Sequence, residues 1–416
     1  MKLLLIGSGG REHTIAWKLA KSPKVSKIYV APGNGGTAIE NKCENVNITD
    51  LDELVKFAKE NDIYLTVVGP EAPLTEGITD KFKEAGLRIF GPDKNGAQLE
   101  GSKSFSKEFM KKYGVKTAEY EVFTEADKAL AYLETCAYPV VIKADGLAAG
   151  KGVAICETKD DAKEAIHSYM VDDIFKGAGQ KVVIEEFLEG VEASILSITD
   201  GHTIIPFVSA KDHKQIFDGG KGPNTGGMGV LAPNPYVTKE VMMDFAANIS
   251  LKTLQGIIAE GFDYKGIIFF GLMITNKGTY LLEYNVRMGD PETQSVLSLM
   301  ESDLFEVIEA AMDEKLNDYK IKWKDEVCIN VVLASKGYPG SFEKGYEITI
   351  DDSVKDNVFL AGAKFEDGVL KTSGGRVLSV VGHGKTLEDA RNMAYNNVKL
   401  VNFKDSYCRT DIGIYK

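Results

Sequence analysis

Short apolar runs alternating with mixed polar stretches set the rhythm of the first hundred residues. Lys2–Ile6, Lys27–Val30, Tyr64–Val68 and Arg88–Phe90 read as strands, each bounded by glycine, proline or polar turn residues. Between them, Arg11–Lys21, Asp52–Glu60 and Thr75–Ala85 carry apolar residues at helical spacing. The first of these helices reads as amphipathic, with Ile15, Ala16 and Leu19 on its apolar side. This alternation predicts an α/β fold whose N-terminal part is a doubly wound parallel sheet. Ligands of such sheets bind beyond the carboxyl ends of the strands, where Gly7–Gly10, Pro32–Thr37 and Gly69–Pro73 fall.

The pattern then changes. Ser102–Tyr113 is a basic helix and Asp127–Thr135 a second. Strands Tyr138–Lys143 and Val153–Ile155 flank a loop rich in glycine and alanine, a hairpin able to fold over phosphates with its amides. The helix Asp160–Met170 and strands Lys181–Ile184, Glu192–Ile198 and Thr203–Phe207 follow. Tyr280–Leu282 is a buried strand after the turn Thr275–Gly278, and Glu292–Met300 starts a helix. Polar residues 313–325 mark a boundary. Beyond it, strands Val327–Ala334, Glu347–Ile350, Val358–Ala361 and Arg376–Gly382 and a helix Thr386–Leu400, with Thr386 as N-cap, form a small α+β domain. The expected division is 1–101, 102–325 with a lid subdomain at about 120–188, and 326–416.

A chain of 416 residues exceeds one core. A formal charge of −12 argues against a general nucleic-acid binder, which needs a basic face. Cys43, Cys136, Cys156, Cys328 and Cys408 are scattered without CxxC spacing, which reads as a reducing compartment and not a zinc site or disulfide framework. No apolar run is long enough for a membrane span. The expectation is a cytoplasmic protein that binds neither membrane nor nucleic acid.

Candidate chemistry centres on Glu283 and Asn285, which strand period two places on one face. A carboxylate and a carboxamide there supply hard oxygen ligands suited to Mg²⁺ or Mn²⁺ carried by a phosphate. Arg287, one step on, offers a planar fork to an anionic oxygen. Lys143 at the end of its strand neutralises phosphate oxygens as a point charge. The turn Gly7–Gly10 is no dinucleotide fingerprint, because Glu12 stands where the third glycine belongs and no acid follows Val30. It remains a helix N-terminus fit for one phosphate, with Gly9, Gly10 and Arg11 as its residues. Residues 211–229, with six glycines between 219 and 229, form a binding loop, in which His213 is either a general base or a solvated residue.

Lys143 before a glycine loop, Glu185–Leu188 with Glu192 downstream, and Glu283-x-Asn285 resemble an ATP-grasp ligase. KADGLAAGKGV, GPNTGGMG (Gly222–Gly229), NVRMGDPETQ, the N-terminal GSGGREH and SGGRVL (Ser373–Leu378) are similar to the phosphoribosylamine–glycine ligase family of purine biosynthesis. The resemblance spans essentially the whole chain. It implies that Lys103 and Lys143 act on the ATP phosphates, with Gly146, Gly150 and Gly152 in a mobile lid loop. Glu185, Glu186, Phe187 and Leu188 would hold adenine, and Glu192 the ribose. Glu283 and Asn285 would carry the metal, while Arg287 and Lys143 act catalytically. The glycine and phosphoribosylamine sites would draw on Glu71, Asp212, Gly226, Gly227, Met228, Arg287, Asp290, Pro291 and Arg376, besides Gly9–Arg11. One departure is that many ATP-grasp enzymes place a further acid about a dozen residues before the metal-binding Glu, where this chain has Phe269–Leu272.

The implied reaction has two stages. Glycine takes the γ-phosphoryl of ATP to give glycyl phosphate, and the amine of 5-phosphoribosylamine then displaces phosphate. Transient contacts with neighbouring purine-pathway enzymes are a further implication. Two rivals are a dehydrogenase built on the N-terminal turn and a non-catalytic nucleotide-binding module.

Overall fold

The structure is a computed structural model that describes residues 1–147 and 152–414. Leu3, Leu4, Leu5 and Ile6 are all buried, so the first strand is covered on both faces, as a central parallel strand must be. This strand, β1 (Lys2–Gly7), leads into α1 (Gly10–Ala20), β2 (Lys27–Pro32), β3 (Cys43–Asn45), α2 (Leu51–Glu60) and β4 (Leu65–Val68). Next come α3 (Glu71–Glu76), α4 (Ile78–Glu84) and β5 (Ile89–Pro92). Strands β3, β2, β1, β4 and β5 are parallel neighbours, as the alternation predicts.

Two expectations need correction. The single helix over 75–85 is two, because Gly77 adopts φ 94° and ends α3 before α4 begins. Helix α1 has no solvated face: Arg11, Glu12, His13 and Lys18 are as buried as Ile15 and Leu19. The C-terminal domain covers its polar side, where His13 Nδ1 accepts a hydrogen bond from the Leu360 amide (2.8 Å) and Trp17 meets Phe359 edge-on.

Helices α5 (Lys94–Gly101) and α6 (Lys103–Tyr113) lead into a subdomain with its own core, comprising β6 (Tyr120–Phe123), α7 (Ala126–Leu133), β7 (Val140–Ala144), β8 (Val153–Cys156), α8 (Lys159–Ile166) and β9 (Val182–Glu186). Its sheet runs β6-β9-β7-β8, antiparallel throughout.

The chain continues through β10 (Val191–Thr199), β11 (Ile204–Pro206), β12 (Lys211–Asp212), β13 (Gln215–Phe217), β14 (Lys221–Asn224) and β15 (Gly229–Ala232). Helices α9 (Lys239–Phe245) and α10 (Leu251–Glu260) precede the long antiparallel pair β16 (Tyr264–Thr275) and β17 (Gly278–Asn285). β16 also pairs with β5, joining the parallel sheet to the antiparallel one in a single sheet ordered β11-β10-β16-β5-β4-β1-β2-β3. Helices α11 (Glu292–Leu299) and α12 (Leu304–Met312) follow.

The last part holds β18 (Val327–Ser335), β19 (Thr349–Ile350), β20 (Val358–Leu360), β21 (Ala363–Glu366), β22 (Val369–Thr372), β23 (Arg376–Gly384) and α13 (Leu387–Val398). Thr386 caps α13 by accepting from the Asp389 amide (3.2 Å). Its sheet, β12-β15-β18-β23-β20, recruits the strand bearing Asp212. One apolar cluster joins Leu3 and Leu5 to Val296, Cys328 and Val381, so the three parts share a core. No helix among the described residues is long and apolar enough to cross a membrane.

Candidate active site

Strand β17 is built as expected at its end and unexpectedly at its middle. Gly271 pairs with Glu283 and Leu272 with Leu281, which leaves Leu282 as an extra residue in a β-bulge. Leu281, Tyr284 and Val286 all enter one apolar cluster, although an unbroken strand would send Leu281 and Tyr284 to opposite faces. The bulge thereby turns Glu283 and Asn285 together away from the core. Gly271 stands directly across from Glu283, where any side chain would press on the Glu283 methylenes.

Glu283 forms no hydrogen bond or ion pair among the described residues, yet it stays ionised. Burial opposes the charge, but Lys214, Lys143, Lys103 and Arg287 outweigh it and hold the carboxyl below its usual range. A partnerless carboxylate ringed by cations is a seat for a cation that arrives on anionic phosphates. Asn285 Oδ1 adds a second hard oxygen beside it, accepting from Arg287 (3.0 Å). The donor set fits a divalent metal bridging to phosphate.

Arg287 is itself fixed. Its guanidinium donates to Glu100 (2.7 Å) and to Glu71 at the start of α3 (3.2 Å). Glu100, which also accepts from the Val286 amide (2.8 Å), was not singled out in the sequence.

Lys143 reaches the Leu282 carbonyl exposed by the bulge (3.3 Å) and Glu185 (2.9 Å). Glu185 also pairs with Lys107 (3.1 Å), which burial lowers to about 8 against the pull of Glu185. Both Glu185 carboxylate oxygens face buried lysines, because the alternation along β9 turns Glu185 inward and Glu186 outward. Lys107 was missed, although it lies one helical turn from Lys103 and shares its face. Burial lowers Lys103 while Glu283 raises it, and its ammonium donates to the Gly146 carbonyl (3.2 Å). Asp145 clasps the start of α6 by accepting from the Ser104 amide (2.6 Å). Gly150 lies outside the described residues, as does most of the expected lid loop.

Glu186, Phe187 and Leu188 line an open edge, with Phe187 exposed and the Glu186 carboxylate accepting from the Glu119 amide (3.1 Å). Glu192 pairs with Lys214 (2.8 Å), a cation not anticipated within the loop. Burial works against the Lys214 charge, but Glu192, Glu283 and Asp212 raise its pKa strongly.

A second cluster is acidic. Burial beside Glu292 raises Asp212 well above its usual range, and Glu292 is raised in turn, with burial the main cause. Gly227 has φ 114° and sits against Asp212 and Pro291, where a side chain would collide with both. Arg376 donates to the carbonyls of Gly226 (2.5 Å) and Asp290 (2.8 Å). Met228 is corrected: its side chain is fully buried with Ile216 and Ala334, so only its backbone borders the loop. His213 is half-buried. Burial pushes it down to about 4, and its Nδ1 lies 3.1 Å from the Gly229 carbonyl.

The N-terminal turn, expected to hold a phosphate, already meets carboxylates of its own chain. Glu12 folds back so that its carboxylate accepts from the Gly9 amide (2.5 Å) and from Arg11 (2.5 Å). Arg11 donates to the Met288 carbonyl (3.1 Å), and its amide faces Asp290 (3.4 Å). Carboxylates therefore already face the Gly9 and Arg11 amides at the start of α1. Any side chain at Gly69 would strike Glu12, so the fold reserves that space for it.

Comparison with known proteins shows the family. Family models described as the N, ATP-grasp and C domains of phosphoribosylglycinamide synthetase match residues 1–100, 101–293 and 328–415. A phosphoribosylamine–glycine ligase of Clostridium acetobutylicum is 64% identical over 99% of both chains. The chain belongs to the phosphoribosylglycinamide synthetase family. A Fusobacterium nucleatum relative within the family is 53% identical, over 99% of this chain and 98% of that one. The solved Thermotoga maritima synthetase superposes with a TM-score of 0.87 at 36% identity, covering 99% of this chain and 100% of that one. A Hydrogenobacter thermophilus biotin carboxylase domain crystallised with MgADP, at 15% identity and TM-score 0.72, shares the ATP-grasp fold. Like the rest of the synthetase family, this chain is an ATP-grasp ligase, and the family uses ATP with a divalent metal.

Proposed function

We propose that the chain joins glycine to 5-phosphoribosylamine with ATP, through glycyl phosphate, giving glycinamide ribonucleotide, ADP and phosphate. The observation that carries this reading is the ionised, partnerless Glu283 among Lys103, Lys143, Lys214 and Arg287. Glu283 and Asn285 would hold Mg²⁺ or Mn²⁺, which when bound offsets phosphate charge.

Lys103 and Lys143 steady the ATP phosphates, while Glu185 and Lys107 hold Lys143 in place. Phe187 and Leu188 form an apolar wall for adenine, and Glu192 faces the ribose. The acidic pair Asp212 and Glu292 suits the glycine ammonium, because a cation beside them offsets the cost of burying carboxylates, the main cause that raises both pKa values. A glycine carboxylate oxygen bonds to the γ-phosphorus as the bond to ADP breaks. The amine of phosphoribosylamine then bonds to the acyl carbon, phosphate departs, and the amine gives up a proton. Arg287, pinned by Glu71 and Glu100, faces the charge that passes through both steps. With carboxylates facing the Gly9 and Arg11 amides, Arg376 beside Asp290 is the better-placed cation for the sugar phosphate. No enzyme nucleophile is required; catalysis is positioning and charge neutralisation.

The test is product analysis. ADP and phosphate should form only when glycine, phosphoribosylamine and a divalent metal are all present. Equal ATP turnover without glycine would remove the assignment.

A further inference from the structure

Away from this site lies a cavity of about 450 Å³ where three distant stretches of chain meet. The end of α1 supplies Trp17, Lys18 and Lys21, and the segment after α11 supplies Glu301. The C-terminal domain and its approach supply Lys324 and His383. The volume falls within the range of small-molecule sites, roughly 300–1,000 Å³.

Its lysines form no ion pair among the described residues, although Asp303 and Glu301 offset part of the Lys18 shift and Glu40 and Asp356 part of the Lys21 shift. Lys18 Nζ donates to the Met300 carbonyl and Lys21 Nζ lies 3.5 Å from the centre of the Trp17 ring. Neither has an ion-pair partner among the described residues, and Lys324 has no side-chain hydrogen bond or ion pair there. His383 Nδ1 is buried without a hydrogen-bond partner. Burial lowers Lys18 to about 8, with Lys21 and Lys324 adding to the shift, and burial with Lys324 pushes His383 down to about 4. Glu301 and Asp356 border the cavity, but they leave the cations in excess. Gathering like charges around the buried Lys18 is costly unless an anion offsets them, in a chain that has many carboxylates to spare.

We propose that this cavity is a second ligand site, taking a phosphate group either free or carried as a monoester. Converging ammonium groups are point charges that suit a tetrahedral dianion, and no arginine fork lines the cavity for a planar carboxylate. The flat Trp17 ring offers a wall for whatever the phosphate is attached to. α1 and α11 both run from this cavity to the active site, where they begin at Gly10 and Glu292. An occupant therefore braces the two helices that carry the acidic end of the substrate site.

The full chain carrying Trp323→Phe, which leaves Trp17 as its one tryptophan, can be titrated at constant ionic strength with inorganic phosphate and with ribose 5-phosphate. Emission of Trp17 and the NMR titration of the His383 ring report on the cavity itself. The expected result is saturable binding, a His383 pKa raised by roughly one or more, and affinity lost at least tenfold in Lys21→Ala/Lys324→Ala, which keeps ligase activity. The single Lys324→Gln variant should show the same loss in part. Tighter binding of ribose 5-phosphate assigns a monoester, and equal binding assigns free phosphate. The proposal is overturned by a response that chloride reproduces. It is equally overturned by one lost in Glu283→Gln but kept in the lysine double variant, or by malonate binding as tightly as either phosphate.

Discussion

Replacing Glu185 with Gln preserves size and removes the one charge that two buried ammonium groups share. Glu185 lies 2.9 Å from Lys143 and 3.1 Å from Lys107, and all three side chains are nearly inaccessible. Removing one partner of a buried ion pair costs roughly 3–5 kcal/mol. Part of that cost should depend on pH. Lys107 titrates at about 8, depressed by burial and held from falling further by Glu185. Without Glu185 its folded-state value drops again, so at pH 7 the folded variant has shed a proton that the unfolded chain, with an ordinary lysine, retains. The folded parent keeps that proton until the pH passes about 8. Lys107 therefore adds up to about 1.4 kcal/mol to the difference at pH 7, one pKa unit's worth, and nothing well above pH 8, where both folded forms are neutral there. Urea unfolding of parent and variant should give a gap of about 3–5 kcal/mol near pH 7 that narrows by about 1.4 kcal/mol near pH 9. The KM for ATP should rise as Lys143 loses its seat. A gap that does not change over this range, or one below about 1 kcal/mol at pH 7, would refute the buried triad.

Two further outcomes separate catalytic from structural roles. Glu283→Gln should fold normally yet lose at least about a hundredfold in kcat, since it removes the charge that faces the metal and phosphates; near-normal kcat at saturating metal would make the strand pair structural. Arg376→Ala should raise the KM for phosphoribosylamine by roughly ten- to a hundredfold, the usual worth of a charged hydrogen bond, while Arg11→Ala should lower stability and leave that KM within about threefold; the reverse pattern in steady-state kinetics would return the sugar phosphate to the N-terminal turn.

The parallel N-terminal sheet was legible because β1, β2, β4 and β5 are apolar runs spaced by helices, a pattern local to each segment. Glu283 and Asn285 were legible together because two residues apart on a strand means one face. What faced the solvent was not legible for α1. Its polar residues look solvated until Phe359, more than three hundred residues later, packs on them. Glu185 and Glu186 are chemically alike, and only the pairing of β9 with β7 says which turns inward to Lys143. Glu12 advertised itself by breaking a glycine motif, yet its meaning lay in where the carboxylate folds back. Lys107 was within reach, one turn along from Lys103. Lys214 was not, because its partners Glu192 and Glu283 come from two other strands.

The extra residue at Leu282 makes β17 a matter of counting. Leu281 and Tyr284 are both anchored in the same apolar cluster, three positions apart, so an odd interval is written into the chain between them. Leu282 contributes its length and its carbonyl, which reaches Lys143, more than its side chain. Chemistry at that position is free to drift among residues of similar shape. Loss of the extra residue is another matter, because plain alternation would then keep Leu281 and Tyr284 inside and Glu283 outside, but the bulge that offers a carbonyl to Lys143 would be gone. Arithmetic, as much as residue identity, is what this strand must inherit unchanged.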